Sequence, residues 1–433
     1  MYKKTLIILL AAICLALPVA TFVFMPQSPD NAPVFSENEN RYLATFVKPD
    51  FSGYFKNFFN KTPNNIKNKQ FMNGLDSWFA DRFVLREDWI ILQNELETLR
   101  GMAEINGVFL VGSQTSEGVI LPNPFRRSPP AKMIQAWRDD AVDVDLTLGA
   151  VDSFAQMMQE SYGVKSYIML VPTAGEIYKE LLPPNSQQGS QSALINYCYD
   201  NLPNLASIGV TTYLTENANR YIYYRTDHHW TTFGSYWGYY AAAKSMGIAP
   251  YDLGRFNVEH ASSDFRGTLF SKTLNYRVTP DVIQFFSLNS NDGKNNPQLH
   301  INDGMTVTKR DSLYLREFLD KKDKYAAFMG LNSPIMDVYT DVNTDKTLLI
   351  FKDSFAHCMI PFLANHYSRI TVLDMRYINA DIRAFVELGD YEQVLFVYSA
   401  TNFAEDTDLW KLNKSRSNRA AGSARRQVAR LDD

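Results

Sequence analysis

The strongest constraint on the fold is an alternation in the last quarter of the chain. Three short runs rich in Leu, Ile, Val and Phe, at residues 347–351, 370–373 and 394–398, are separated by segments 354–366 and 378–388, whose composition suits helices. Runs that are apolar at nearly every position read as strands buried on both faces, and strands alternating with helices predict a parallel sheet flanked by helices. Upstream, the run at 167–171, stopped by Pro172, has the same character. A helical pattern from 131 to 162 precedes it, another from 191 to 205 follows, and 210–214 reads as a further strand. A glycine-bounded run at 107–112 marks the start of this α/β domain. The domain is expected to span residues 106–410, with an irregular insertion at about 251–345 that shapes its site.

The first residues speak to the compartment. Lys3 and Lys4 precede an uncharged run from Thr5 to Met25, which at ~1.5 Å per residue is long enough to cross a ~30 Å hydrocarbon core. Residues 1–25 are therefore expected to be a signal anchor, a transmembrane helix that leaves the bulk of the chain outside the cell membrane. Leu17-Pro18-Val19-Ala20 keeps a cleaved, secreted form open. A lipoprotein reading at Cys14 is opposed by Ile13, where such sites want a small residue. Residues 26–105 read as a linker and helical stem, with Phe71, Leu75, Phe79, Phe83, Trp89 and Leu92 at helical spacing. Residues 411–433 form a basic, low-complexity tail expected to be disordered.

Composition narrows the partners. At 433 residues and 45% hydrophobic the chain can bury a full core, and a net charge of −4 supplies no basic field for a nucleic acid. A neutral or carbohydrate substrate fits better. Of three cysteines, Cys14 lies in the apolar N-terminal run, and Cys198 and Cys358 read as buried apolar residues whose pairing stays open. No cofactor is expected.

Two segments carry chemistry. Thr226-Asp227-His228-His229-Trp230-Thr231 precedes a helical stretch that Thr231 or Thr232 can cap, which puts Asp227 and His229 on a loop. A carboxylate that accepts the Nδ1 proton of an imidazole fixes its tautomer and makes the other nitrogen a general base. His228 would then point elsewhere. A helix-capping Asp227 beside two polar loop histidines fits the segment equally well. Second, Lys352-Asp353-Ser354-Phe355-Ala356 follows the strand at 347–351 and opens a helical segment. A serine at the carboxyl end of a parallel strand faces backbone N–H groups suited to an oxyanion. An ordinary N-cap serine is the other reading; together with the Asp-His pair, the nucleophile reading is preferred.

Asp227-His228-His229-Trp230 resembles the signature of the DHHW protein family and is similar to the Asp-x-His-Trp motif of the alginate O-acetyltransferase group. The likeness extends to Ser36–Arg41, Asp81-Arg82-Phe83, Val171-Pro172, Ile177-Tyr178, Leu182-Pro183, Lys352–Ala356 and Asp374–Tyr377. It implies an SGNH-hydrolase-like, flavodoxin-like fold with Ser354 as nucleophile, His229 as base and Asp227 as its orienter, the Asp-His pair coming before the serine. It also implies an acyl group delivered by a membrane partner protein or a small donor. Gly330 and Asn332 are candidates for completing an oxyanion hole, and Arg376, Asn402 and Trp230 for binding substrate; Tyr398, Tyr223, Tyr224 and Trp237 are further aromatic candidates.

The leading expectation is a serine-dependent O-acetyltransferase or acetylesterase acting on a cell-surface or secreted polysaccharide. A non-catalytic glycan-binding or assembly protein of the envelope is the alternative. A metal site built from Asp227, His228 and His229 is not expected, because adjacent histidines diverge and no further ligand cluster lies nearby in sequence.

Overall fold

Strands whose every residue is apolar need cover on both sides, and the computed structural model supplies it with two cores, one on each face of an eight-stranded sheet. The structure describes residues 35–39, 41–43, 85–102, 104–112, 132–135, 137, 144–184, 186, 188–289 and 295–413, with isolated positions 16, 76, 80, 81 and 83. The expected anchor, apart from position 16, lies outside these residues. So do stem positions Phe71, Leu75 and Phe79 and the tail beyond 413. Among the described residues no helix is long and apolar enough to cross a membrane.

The chain divides into two units, one of residues 1–105 with 271–276, the other of residues 106–270 and 277–433. In the first, the helix Arg86–Leu99 carries Trp89 and Leu92. Charges join the segments around it: Arg41 forks onto Asp81 at 3.0 and 2.5 Å, and Glu39 pairs with both Arg41 and Arg86. Glu87 accepts from Ser36 and Asn38 at 3.3 and 2.6 Å.

The second unit holds the large sheet: β1 (Lys165–Val171), β2 (Leu205–Ser207), β3 (Gln298–Asn302), β4 (Val307–Arg310), β5 (Ile335–Tyr339), β6 (Thr347–Lys352), β7 (Arg369–Leu373) and β8 (Gln393–Ser399). The spatial order is β4-β3-β5-β7-β6-β8-β1-β2. From β7 to β2 neighbours run parallel, whereas β5, β3 and β4 extend the β7 edge antiparallel. The sheet is thus mixed rather than purely parallel, and the insertion expected to be irregular supplies three of its strands. It also supplies an antiparallel hairpin, Phe256–Phe265 with Asp281–Leu288.

Successive side chains of a strand point to opposite faces, and the two cores follow that alternation. Tyr167, Met169, Leu348, Ile350, Leu395 and Val397 join one; Ile168, Leu170, Leu349, Phe351, Val394 and Phe396 join the other. Helix α1 (Asp145–Tyr162) covers the second face with Leu148, Val151, Phe154, Ala155 and Met158, an i, i+3, i+4 stripe, and ends where Gly163 turns left-handed at φ 71°. Helix α2 (Thr232–Ser245) covers the first face with Tyr236, Tyr239, Ala242 and Ala243.

Several local expectations give way. The segment at 131–162 is not one helix: Lys132–Gln135 is a strand pairing antiparallel with Val108–Val111. Thr211–Glu216 is a helix, not a strand, because Val210 and Leu214, four residues apart, are the buried positions. Residues 378–388 form 3-10 turns at Ile382–Ala384 and Leu388–Asp390; Asp381 accepts from the Arg383 N–H, a local bond that competes with helix formation. After Ser354 comes a 3-10 turn, Ser354–Ala356, and a four-residue helix, Ile360–Leu363, in place of one longer helix. Cys198 and Cys358 are buried and free.

Candidate active site

The loop between Tyr221 and Thr232 is pinned from several sides. Asp281, fully buried at the start of the second hairpin strand, accepts from the backbone N–H groups of Arg225 and Thr226 at 2.7 and 2.8 Å, from the Thr226 hydroxyl at 2.5 Å and from the Tyr221 hydroxyl. Burial raises its pKa despite these donors. On the other side Thr231 caps α2, its hydroxyl accepting from the Gly234 N–H at 3.1 Å. The indole of Trp230, buried, donates to the Phe355 carbonyl at 2.9 Å and so ties the histidine loop to the serine turn. A Cβ on Gly238 would collide with that ring, which explains a glycine inside α2.

The serine turn is held with equal economy. Asp353 at the carboxyl end of β6 accepts from the Phe355 N–H at 2.9 Å with one oxygen, and from the Ser399 N–H and the Asn402 side-chain amide at 2.9 and 2.7 Å with the other. Neighbouring strands β6 and β8 thereby lock the turn that presents Ser354.

These two supports bring Ser354, His229 and Asp227 together. His229 Nε2 lies 2.7 Å from Ser354 Oγ, and His229 Nδ1 lies 2.6 Å from Asp227 Oδ1. The same Asp227 oxygen accepts from the His229 N–H at 3.0 Å; the other accepts from the N–H and hydroxyl of Thr268 at 2.8 and 3.1 Å. Burial alone would raise the Asp227 carboxyl, but His228, His229 and the Thr268 N–H outweigh it and hold it far below the ordinary carboxylate range. Gly267 is required beside it, since a Cβ there would run into the Asp227 side chain.

Tyr325 lies flat against His229, with ring centroids 3.8 Å apart and planes 6° apart, and its hydroxyl donates to the Ser354 carbonyl at 2.9 Å. His228 does not turn away: its ring centroid is 3.8 Å from that of His229, and its Nδ1 meets the Thr268 hydroxyl at 2.7 Å. Asp227, His228 and His229 offer ligand atoms within 4.8 Å of one another. A metal would nonetheless have to displace Thr268 and Ser354, because both Asp227 oxygens and both His229 nitrogens already have partners.

Other candidates have different roles. Gly330 sits at φ 91° and spends its N–H on the Ala326 carbonyl at 2.9 Å, so it has none to offer an oxyanion. Asn332 accepts from the Lys352 ammonium at 2.7 Å, part of a buried cluster in which Lys352 also pairs with Asp374 at 2.9 Å. Arg376 forks onto that same Asp374 at 2.8 and 2.7 Å through Nε and Nη2, a structural ion pair. Trp230, Tyr223, Tyr224 and Tyr398 are buried core residues, and no face is left on them for a sugar; Trp237 stacks on Tyr213. Asn402 both holds Asp353 and lines a small pocket of about 30 Å³ beside Phe355 and His228. Thr173, Gly175, Leu269, Ser399 and Thr401 complete its wall. None of these, nor Asp281, Thr268 or Tyr325, carries a signal in the sequence alone, save that the Ala174-Gly175 step follows a strand end, where α/β folds place their sites.

Comparison with known proteins bears on the fold and the family. A DHHW family protein from Eubacterium siraeum matches with a TM-score of 0.57 and 22% identity, covering 72% of this chain and 96% of its own. PatB1 of Bacillus cereus, solved with a sulfonyl adduct, matches at 0.56 and 20%, covering 65% of this chain and 95% of its own. The O-acetyltransferase domain of Pseudomonas putida AlgJ gives 0.39 and 14%, covering 63% and 90%. No curated protein matches the sequence. The DHHW protein family matches residues 140–373, more than half of the sequence, and the chain belongs to that family.

Proposed function

We propose that this protein is an extracytoplasmic serine-dependent O-acyltransferase or acetylesterase, acting on a cell-surface or secreted polysaccharide through an SGNH-like site. The observation that carries the reading is the hydrogen-bonded series Ser354–His229–Asp227, assembled from segments 125 residues apart and buried except at the serine. A base held in one tautomer by a carboxylate and touching a hydroxyl is the arrangement nucleophilic acyl transfer needs.

In the first half-reaction His229 Nε2 takes the proton as Ser354 Oγ bonds to the acyl carbonyl carbon. The tetrahedral oxyanion is met by the Ser354 backbone N–H, which has no acceptor among the described residues. Collapse expels the donor's leaving oxygen, which recovers the proton from His229. A sugar hydroxyl, deprotonated by the same imidazole, then takes the acyl group from the serine, and the departing Ser354 Oγ recovers that proton from His229; with water in place of the sugar the outcome is hydrolysis. The pocket of about 30 Å³ beside Phe355 suits an acyl group as small as acetyl. The run Thr5–Met25 supports a membrane anchor, and the acyl group comes from a membrane partner protein or a small donor.

The test is labelling by a fluorescent phosphonate or a sulfonyl fluoride, together with acetate release from p-nitrophenyl acetate. Wild type should do both, Ser354→Ala and His229→Ala neither. A folded wild type that does neither would leave a glycan-binding or assembly role as the better account.

A further inference from the structure

A larger cleft, of about 630 Å³, opens on the other side of the segments that wall the small pocket. Three stretches of chain serve both. The strand Lys132–Gln135 gives Lys132 to the cleft and Gln135 to the pocket, ~10 Å apart at strand rise. The segment after β1 gives Tyr178 to the cleft and Gly175 to the pocket, and the loop that ends in the histidines gives Arg225 to the cleft and His228 to the pocket. The Met133 N–H donates to the Arg225 carbonyl at 2.8 Å, so strand and loop are one wall.

The cleft is lined by Lys132, Lys179, Arg220 and Arg225 against Glu176 and Glu180, a net cationic lining in a chain whose net charge is negative. Lys179 is neutralised by Glu176 at 3.1 Å, and Arg225 lies 3.8 Å from Asp281. Lys132 and Arg220 have no carboxylate within ion-pair distance among the described residues; each lies over an aromatic ring, Lys132 at 3.2 Å from the centre of Tyr178 and Arg220 at 5.6 Å from that of Phe233. The Tyr178 hydroxyl is buried without a hydrogen-bond partner. A buried polar atom left unpaired costs free energy unless something outside the chain satisfies it. Burial also lowers the Lys132 ammonium to about 7, with Asp281 opposing and Arg225 adding to the shift, so a bound anion would restore its charge.

We propose that this cleft is a second polymer-binding subsite, taking a carboxylate or phosphate group on a sugar neighbouring the one acylated, with Lys132 and Arg220 as its cationic contacts and the Tyr178 hydroxyl as a further donor. The inference rests on the polysaccharide reading above and narrows it to an anionic glycan. It gives the protein a means of holding a polymer in register while the small pocket receives the acyl group.

The test is calorimetric titration of the full chain with an oligouronate, a glycerol-phosphate-substituted oligosaccharide and a neutral oligosaccharide of equal length. One of the two anionic oligomers is expected to bind about tenfold or more tightly than the neutral one, with affinity falling as salt rises; which one binds names the anion. Lys132→Gln and Arg220→Gln should each weaken that binding about fivefold or more, and Ser354→Ala should leave it unchanged. Arg220 is exposed, so its variant serves if Lys132→Gln fails to fold. Equal binding of anionic and neutral oligomers, or wild-type affinity in both charge variants, overturns the proposal. Phosphonate labelling run alongside keeps the two readings apart: anion-selective binding without labelling removes the serine chemistry and leaves the cleft, and labelling without anion selectivity does the reverse.

Discussion

Replacing Asp227 by Asn keeps the shape of the side chain and removes its charge. In the protein one carboxylate oxygen accepts from the Nδ1 and N–H of His229, the other from the N–H and hydroxyl of Thr268. An amide has a single acceptor oxygen, so its NH2 must face one of these donor pairs. Turned toward Thr268, it leaves a buried N–H unsatisfied at a cost of about 1–3 kcal/mol. Turned toward His229, it donates to Nδ1, which drives the ring proton to Nε2 and takes away the lone pair that would accept from Ser354. In either orientation the imidazolium formed during the reaction loses its anionic partner. The expected loss of turnover is ~10³–10⁴-fold, equivalent to about 4–5.5 kcal/mol of transition-state stabilisation. Acetate release from p-nitrophenyl acetate and the phosphonate labelling rate measure the loss of turnover, and denaturant unfolding measures the cost of the unsatisfied N–H to the folded state. A folded Asp227→Asn protein that labels and turns over within threefold of wild type would refute the assignment of Asp227 as the orienting group.

Four further outcomes are expected. Gly267→Ala, whose new methyl would enter the space of Asp227, should lower the rate of labelling by about tenfold or more with Ser354 and His229 untouched, as read by labelling kinetics. Lys352→Met leaves Asp374 with Arg376 alone, and denaturant unfolding should show a loss of about 3 kcal/mol or more, as for other broken buried pairs. His366 is held neutral, burial lowering it to about 4 from its ordinary 6.5; the unfolded chain takes up that proton first as pH falls, so about 3 kcal/mol of stability present above pH 6.5 should drain away between 6.5 and 4. Melting temperatures of wild type and His366→Gln across that window will show the difference. Added Zn²⁺ should inhibit labelling by drawing His229 from Ser354 toward a site shared with His228 and Asp227, reversibly with a chelator and less strongly in His228→Ala.

Where the chain was legible, a single physical cause dominated. Strands β6, β7 and β8 are apolar at every second and nearly every intervening position because both their faces are covered. Antiparallel β3 and β4 lack an apolar pattern because β4 is an exposed edge strand and β3 beside it is largely half-buried, with Lys309, Arg310 and Asn302 where an apolar signal would be needed. The segment 210–214 looked like a strand from its β-branched residues, yet tertiary burial of Val210 and Leu214 decided for a helix. In the site, Asp227, His229 and Ser354 stood out by type and spacing. The groups that place them did not: Asp281, Thr268, Tyr325 and Asp353 act through contacts across 41 to 60 residues or through ring stacking, and such contacts leave no periodic trace. Trp230, a substrate-binding candidate by its place in the motif, is a buried core residue whose indole N–H is spent on the Phe355 carbonyl.

The last described strand in sequence, β8, is not at an edge of the sheet but between β6 and β1, and the residues just beyond it hold the Asp353 side chain. During synthesis, then, every other described strand of the sheet leaves the ribosome before the sheet has a middle, and the turn bearing Ser354 lacks this part of its anchoring until Ser399 and Asn402 exist. A nascent or clipped chain lacking β8 would carry all three triad residues without the contacts that hold Asp353 beside Ser354. Chains stopped before Gln393 should show no phosphonate labelling, even under conditions where they remain in solution.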